Sequence, residues 1–172
     1  SYVNGGGGCI DMATVTVNTT PAAITGASGV CVGSVLTLSN STAGGTWISD
    51  NTDIATIGSS NGIVSGISSG TTTVTYMMPS GCYVTSAVTV NANPSAISGS
   101  GSVCEGSTTT MSDATGGGTW SSSNVSVATI GSATGELSGI AEGTVTLTYT
   151  LSTGCKVTKL DTVKGTPSSI TG

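Results

Sequence analysis

The chain has 172 residues, a formal net charge of −5, and only 6% charged residues, three of them basic (Lys156, Lys159 and Lys164). So few cations leave no basic footprint for nucleic acid, the absence of His and of any CxxC leaves no zinc pattern, and no apolar run approaches the roughly 18 residues of a membrane-spanning helix. Low charge, a mean hydropathy of +0.29 and recurrent Val and Ile also argue against disorder.

Alternation of period two runs through the chain and helical periodicity is lacking, so the fold class is all-β. Residues 1–20 open with the glycines of "NGGGGC", which have no following helix or Lys for a phosphate cradle and are expected to form a hairpin tip. Cys9 and "TVTV" follow. "PAAITG" begins at Pro21, and Cys31 precedes a turn at "VGS" (32–34). The expected strands then come in order: "VLTLS" (35–39), "GTWIS" (45–49), "IATI" (54–57), "GIVSGI" (62–67), "TTTVTY" (71–76) and, after "PSGC" ending in Cys82, "YVTSAVTV" (83–90). Gly33, Gly62, Gly66 and Gly70 read as turn residues needing positive φ. Trp47 and Tyr76 read as core anchors.

From Pro94 the text repeats. Pro21 and Pro94, Cys31 and Cys104, Trp47 and Trp120, Tyr76 and Tyr149, and Cys82 and Cys155 are all 73 residues apart. Without a gap, 37 of 73 positions of 21–93 and 94–166 are identical, so these are copies of one unit. Residues 1–20 match the end of such a unit and 167–172 its beginning. The expected layout is therefore the last strand of a preceding repeat (1–20), two repeats (21–93 and 94–166), and the first strand of a following one (167–172), as in a slice of a longer array.

The two copies fix the faces. Thr72, Val74 and Tyr76 correspond to Val145, Leu147 and Tyr149, so this row points inward. Thr71, Thr73 and Thr75 stay Thr in both copies and point to water. About seven short strands per unit, one Trp each, and turns every 8–12 residues predict a β-sandwich of immunoglobulin type.

Candidate chemistry is sparse. No acidic residue keeps its acid in both copies, so no general acid–base pair recurs and no catalytic residue, cofactor site or metal site is expected. Asp50, Asn51 and Asp53 offer oxygen ligands for calcium, but their counterparts "SSSNVS" (121–126) lack both carboxylates, which favours a solvated loop. The sequons at Asn18, Asn40 and Asn124 are what so Ser/Thr-rich a chain produces by chance. Asp161 interrupts a Val-x-Val row, since Val15 and Val88 occupy its place elsewhere. A frayed or edge position would tolerate that charge. The five cysteines, at fixed places in small Thr-rich units, read as disulfides of an oxidising compartment.

"VCVGSVLTL…GTWISDNTDIATIGSSNGIVSGISSGTTTVTY…VTV" resembles the group 2 bacterial Ig-like repeat of intimin- and invasin-type adhesins. The added "VC"/"GC" pair and the P-x-x-I-[ST]-G linker are similar to repeats of giant secreted surface proteins of Bacteroidota, in which "DTV" (161–163) resembles an O-glycosylation motif with Thr162 as acceptor. The resemblance implies tandem Ig-like sandwiches stacked end to end. It also implies an extracellular or cell-surface location and neighbouring repeats of the same chain as partners, and it leaves lateral self-association into a fibre open. The function implied is a rigid structural spacer of a filament, stalk or adhesin. A ligand-binding adhesion module for glycan or host surface is the alternative.

Two disulfide patterns remain open. Within units, Cys31 would pair with Cys82 and Cys104 with Cys155. The strand directions of the resembled fold instead put Cys31 at the bottom of one unit and Cys155 at the top of the next. Cys104 would then pair with a following repeat, and Cys9 and Cys82 with preceding ones.

Overall fold

The structure is a computed structural model and describes residues 14–166. Among these there is no helix, and fourteen short strands fall into two sets of seven. The first set is β1 (Gly29–Cys31), β2 (Val35–Thr37), β3 (Thr46–Ser49), β4 (Ala55–Ile57), β5 (Ile63–Gly66), β6 (Gly70–Met77) and β7 (Tyr83–Asn91). The second is β8 (Ser102–Cys104), β9 (Thr108–Thr110), β10 (Thr119–Ser122), β11 (Ala128–Ile130), β12 (Glu136–Gly139), β13 (Gly143–Thr150) and β14 (Lys156–Lys164).

Each set makes a sandwich of a four-stranded and a three-stranded sheet. The orders are β1-β7-β6-β3 and β2-β5-β4 in the first, β10-β13-β14-β8 and β11-β12-β9 in the second. Neighbours are antiparallel except for β1 on β7 and β8 on β14, which run parallel. Single bridges between Thr25 and Ser39, and between Ser98 and Ser112, tie the entering segment to the other sheet. This is the immunoglobulin arrangement.

Two separate apolar cores result. One spans Val30 to Val90 and the other Ile97 to Val163. In β6, Thr72, Val74 and Tyr76 are buried, as are Val145, Leu147 and Tyr149 in β13. Trp47 lies against Tyr76 with ring centroids 4.7 Å apart, and Trp120 lies against Tyr149 at 4.7 Å. The Tyr76 hydroxyl donates to the Thr42 carbonyl (2.6 Å) and accepts from the Gly45 amide (2.9 Å), so its polar end is satisfied. A Cβ at Gly45 would stand 2.5 Å from that ring, so only glycine lets the chain pass.

Two expectations need correction. Gly33, Gly62 and Gly70 take positive φ (77°, 67° and 157°), but Gly66 does not. Gly66 belongs to β5, where a Cβ would meet the Cys31 carbonyl oxygen at 2.7 Å; the constraint is close approach. Asp161 is neither frayed nor at an edge. It sits within β14, a strand paired on both sides, opposite Val145, and is 1% exposed. Alternation puts Val163 and Asp161 inside, so Thr162 lies on the outer face, half-buried and opposite Thr144 and Ser102.

Candidate functional site

The most elaborated chemistry is at the joint between the sandwiches. β1 runs parallel to β7 with Cys31 level with Asn91, the last residue of β7. The Val32 amide donates to the Asn91 carbonyl (3.0 Å) and the Gly33 amide to the Gly66 carbonyl (2.9 Å), which fix Cys31 at the lower end of the first sandwich. Cys82 immediately precedes β7. The nine residues of β7 therefore separate it from Cys31, roughly 30 Å at ~3.3 Å per residue. A disulfide tolerates roughly 7 Å between Cα atoms.

Cys31 is bonded instead to Cys155, with Cα atoms 5.6 Å apart and a sequence separation of 124. Cys155 is buried at the top of the second sandwich, immediately before β14, and its sulfur lies 3.9 Å from the Asn91 carbonyl oxygen. The pairings Cys31–Cys82 and Cys104–Cys155 are thus absent. The peptide linker crosses the same joint. The Asn93 side chain donates back to the Val32 carbonyl (2.9 Å), Pro94 is buried, and the Ser95 amide donates to Thr115 Oγ1 (2.8 Å). Pro94 also fixes its own φ.

The other two described cysteines carry no disulfide within the described residues. Cys104 is exposed and level with Lys164 on β14, in the place that Cys31 occupies on β7. Cys82 is half-buried, and its sulfur lies 3.9 Å from the Asn18 carbonyl oxygen. Cys9 and the glycine tip lie outside the described residues, as do 167–172. Residues 14–20 make no sheet pairing; Val15 and Val17 are 84% and 88% exposed, although their counterparts Val88 and Val90 are buried.

The remaining candidates are structural in their contacts. Asn51 Oδ1 accepts from the Asp53 amide (3.0 Å), and Asn124 Oδ1 accepts from the Ser126 amide (3.0 Å), so this Asn shapes a turn in both repeats. Among the described residues no three His, Cys, Asp or Glu side chains converge as a metal site would require. Asn40 Nδ2 is engaged with the Ala22 carbonyl (2.5 Å). Beside each Trp–Tyr pair lies a shallow open cleft, about 300 Å³ at Trp47 and about 370 Å³ at Trp120. Its rim changes from Asn40, Ser60 and Asn61 to Asp113, Ala133 and Thr134. The buried Oδ2 atoms of Asp113 and Asp161 have no hydrogen-bond partner. Sequence reasoning singled out Asp161 but put it at a frayed or edge position, and it missed Asp113. The Asn-to-Asp change from Asn40 to Asp113 was the available signal for the latter.

Among known proteins, the bacterial Ig-like domain (group 2) matches residues 11–82 and 83–161. The second stretch begins at the first residue of β7, although β7 pairs with β6 and β1 of the first core. A C-terminal intimin fragment, solved in complex with the intimin-binding domain of its translocated receptor, is similar at TM-score 0.57 and 14% identity, over 84% of this chain and 64% of that one. The chain thus spans about two thirds of that fragment. Domains 1–6 of the surface layer protein SbsC align at 0.35 and 24% identity, over 77% and 24% of the two chains. Protocadherin gamma B2 cadherin domains 3–6 align at 0.36 and 13%, over 86% and 51%. No curated protein matches the chain.

Proposed function

The chain belongs to the bacterial Ig-like domain (group 2) family, and from that premise we propose that it is a structural segment of a giant extracellular filament, stalk or surface adhesin, in which stapled sandwiches serve as a rigid load-bearing spacer. The observation that carries this reading is the Cys31–Cys155 bond, which joins two separately cored domains at the point where they meet. Two connections cross the joint, one through the Asn91–Pro94 peptide and one through sulfur. A body held at two points resists bending that a single flexible linker permits. A disulfide in a small domain also fits an oxidising, extracellular setting. The partners are the neighbouring repeats, with lateral association into a fibre, and the segment is not an enzyme. Small-angle scattering of the oxidised chain tests it: an elongated particle of fixed length supports a rigid spacer, and a profile of two freely jointed domains refutes it.

A ligand-binding adhesion module draws on the repeated aromatic-floored cleft, whose polar rim differs between repeats. Such clefts suit a small polar ligand such as a sugar, yet each Trp ring is almost wholly buried against its Tyr. Specific, Trp47-dependent signals on a glycan array would favour this reading over the spacer.

A further inference from the structure

We propose, building on the spacer reading, that tension runs through this protein along two parallel covalent rails and bypasses the body of each sandwich, with Cys82 and Cys104 as the open ends of the second rail. The first rail is residues 14–31, the Cys31–Cys155 bond, and β14. It descends the first sandwich through β1, crosses the joint by sulfur, and descends the second through β14. The second rail is residues 82–104, which descend the first sandwich as β7, cross by the peptide linker, and reach the lower end of the second at β8.

The rails lie side by side. β1 is parallel to β7, and β8 is parallel to β14, so within each sandwich both rails run the same way and share a hydrogen-bonded ladder. Everything else, β2–β6 and β9–β13, hangs from the rails as closed excursions (32–81 and 105–154). Force applied along the rails does not pass through either excursion.

The open ends match the closed joint. Cys82 lies 3.9 Å from the Asn18 carbonyl as Cys155 lies 3.9 Å from that of Asn91, so the upper half of a second joint is already assembled. Cys104 is the matching lower half. A Cβ at Gly139 would meet the Cys104 carbonyl at 2.6 Å, as one at Gly66 would meet that of Cys31 at 2.7 Å. What each lacks is the complementary cysteine of an adjoining repeat: a Val-Cys strand end for Cys82 and a Gly-Cys turn for Cys104. Each bond forms when the two thiols give up two protons and two electrons to a disulfide oxidant, which leaves as two thiols.

Two measurements test this. The 172-residue chain is held by its ends and pulled, oxidised and then reduced. Reduction, or Cys31→Ser, should release an extra length of roughly 400 Å, because the residues between Cys31 and Cys155 extend at about 3.3–3.6 Å each. An oxidised chain whose sandwiches unfold under load while the Cys31–Cys155 bond stays intact, read as Trp47 and Trp120 becoming solvent-exposed, overturns the bypass. In the native protein, alkylation without reduction followed by peptide mapping should recover Cys82 and Cys104 only in cross-linked peptides, and not linked to each other. Alkylated Cys82 or Cys104 overturns the second rail. Neither result depends on the scattering profile or the glycan array, which decide the rigid-spacer reading.

Discussion

Replacing Asp161 by Val should stabilise the second repeat. Asp161 faces the core opposite Val145 and is 1% exposed, and its Oδ2 has no partner. Its counterpart Val88 fills the same place in the first core and is fully buried. Removing an orphaned buried acceptor recovers about 1–3 kcal/mol. Burying the Val side chain contributes about 1.5–3 kcal/mol. Against this stands the bond from the Thr162 amide to Oδ1 (2.8 Å), about 1 kcal/mol, and that amide retains the Gly101 carbonyl at 3.3 Å. Val is close to Asp in volume, so overpacking adds little. These terms sum to about 1.5–5 kcal/mol, a rise of roughly 6 °C or more in the transition of a domain this small. Calorimetry on the wild-type and Asp161→Val chains reads it directly. An unmoved or lowered transition would show that the carboxylate has partners that this reasoning omits.

The reciprocal change, Val88→Asp, should lower the first repeat's midpoint by a comparable amount in a urea titration and leave the second repeat's transition in place. Trp120→Ala should cost about 3–5 kcal/mol by loss of the ring packed on Tyr149, read as a shifted urea midpoint. Gly45→Ala puts a methyl 2.5 Å from the Tyr76 ring and should destabilise by about 1–3 kcal/mol, seen as a lower melting temperature. Loss of the Cys31–Cys155 bond through Cys155→Ser removes a cross-link over 124 residues, worth about 5 kcal/mol in the chain-entropy model, and guanidinium unfolding should register it.

Much of the architecture was legible because the chain states it twice. Where the copies differ, as at Thr72 and Val145, the apolar member reveals the inner face, and the buried row in β6 and β13 follows it. Strand ends came out a residue or two different, as at β3, which begins at Thr46. Asp161 was misread because a charge within an alternating strand looks like an edge. Its inward neighbours Val157 and Lys159 are only half-buried, so the pattern fades toward the upper end of β14. Gly66 and Gly45 share a cause: both are glycine because another chain segment passes within contact distance, which depends on tertiary packing. The Cys82–Asn18 approach was legible, since it repeats the Cys155–Asn91 one a period earlier and follows from reading Cys82 as facing a preceding repeat.

Non-reducing peptide mapping of the purified, thiol-blocked chain tests the cross-repeat staple most directly. The structure predicts a linked peptide pair containing Cys31 and Cys155, with their Cα atoms 5.6 Å apart. A pair linking Cys31 to Cys82, or Cys104 to Cys155, would contradict it.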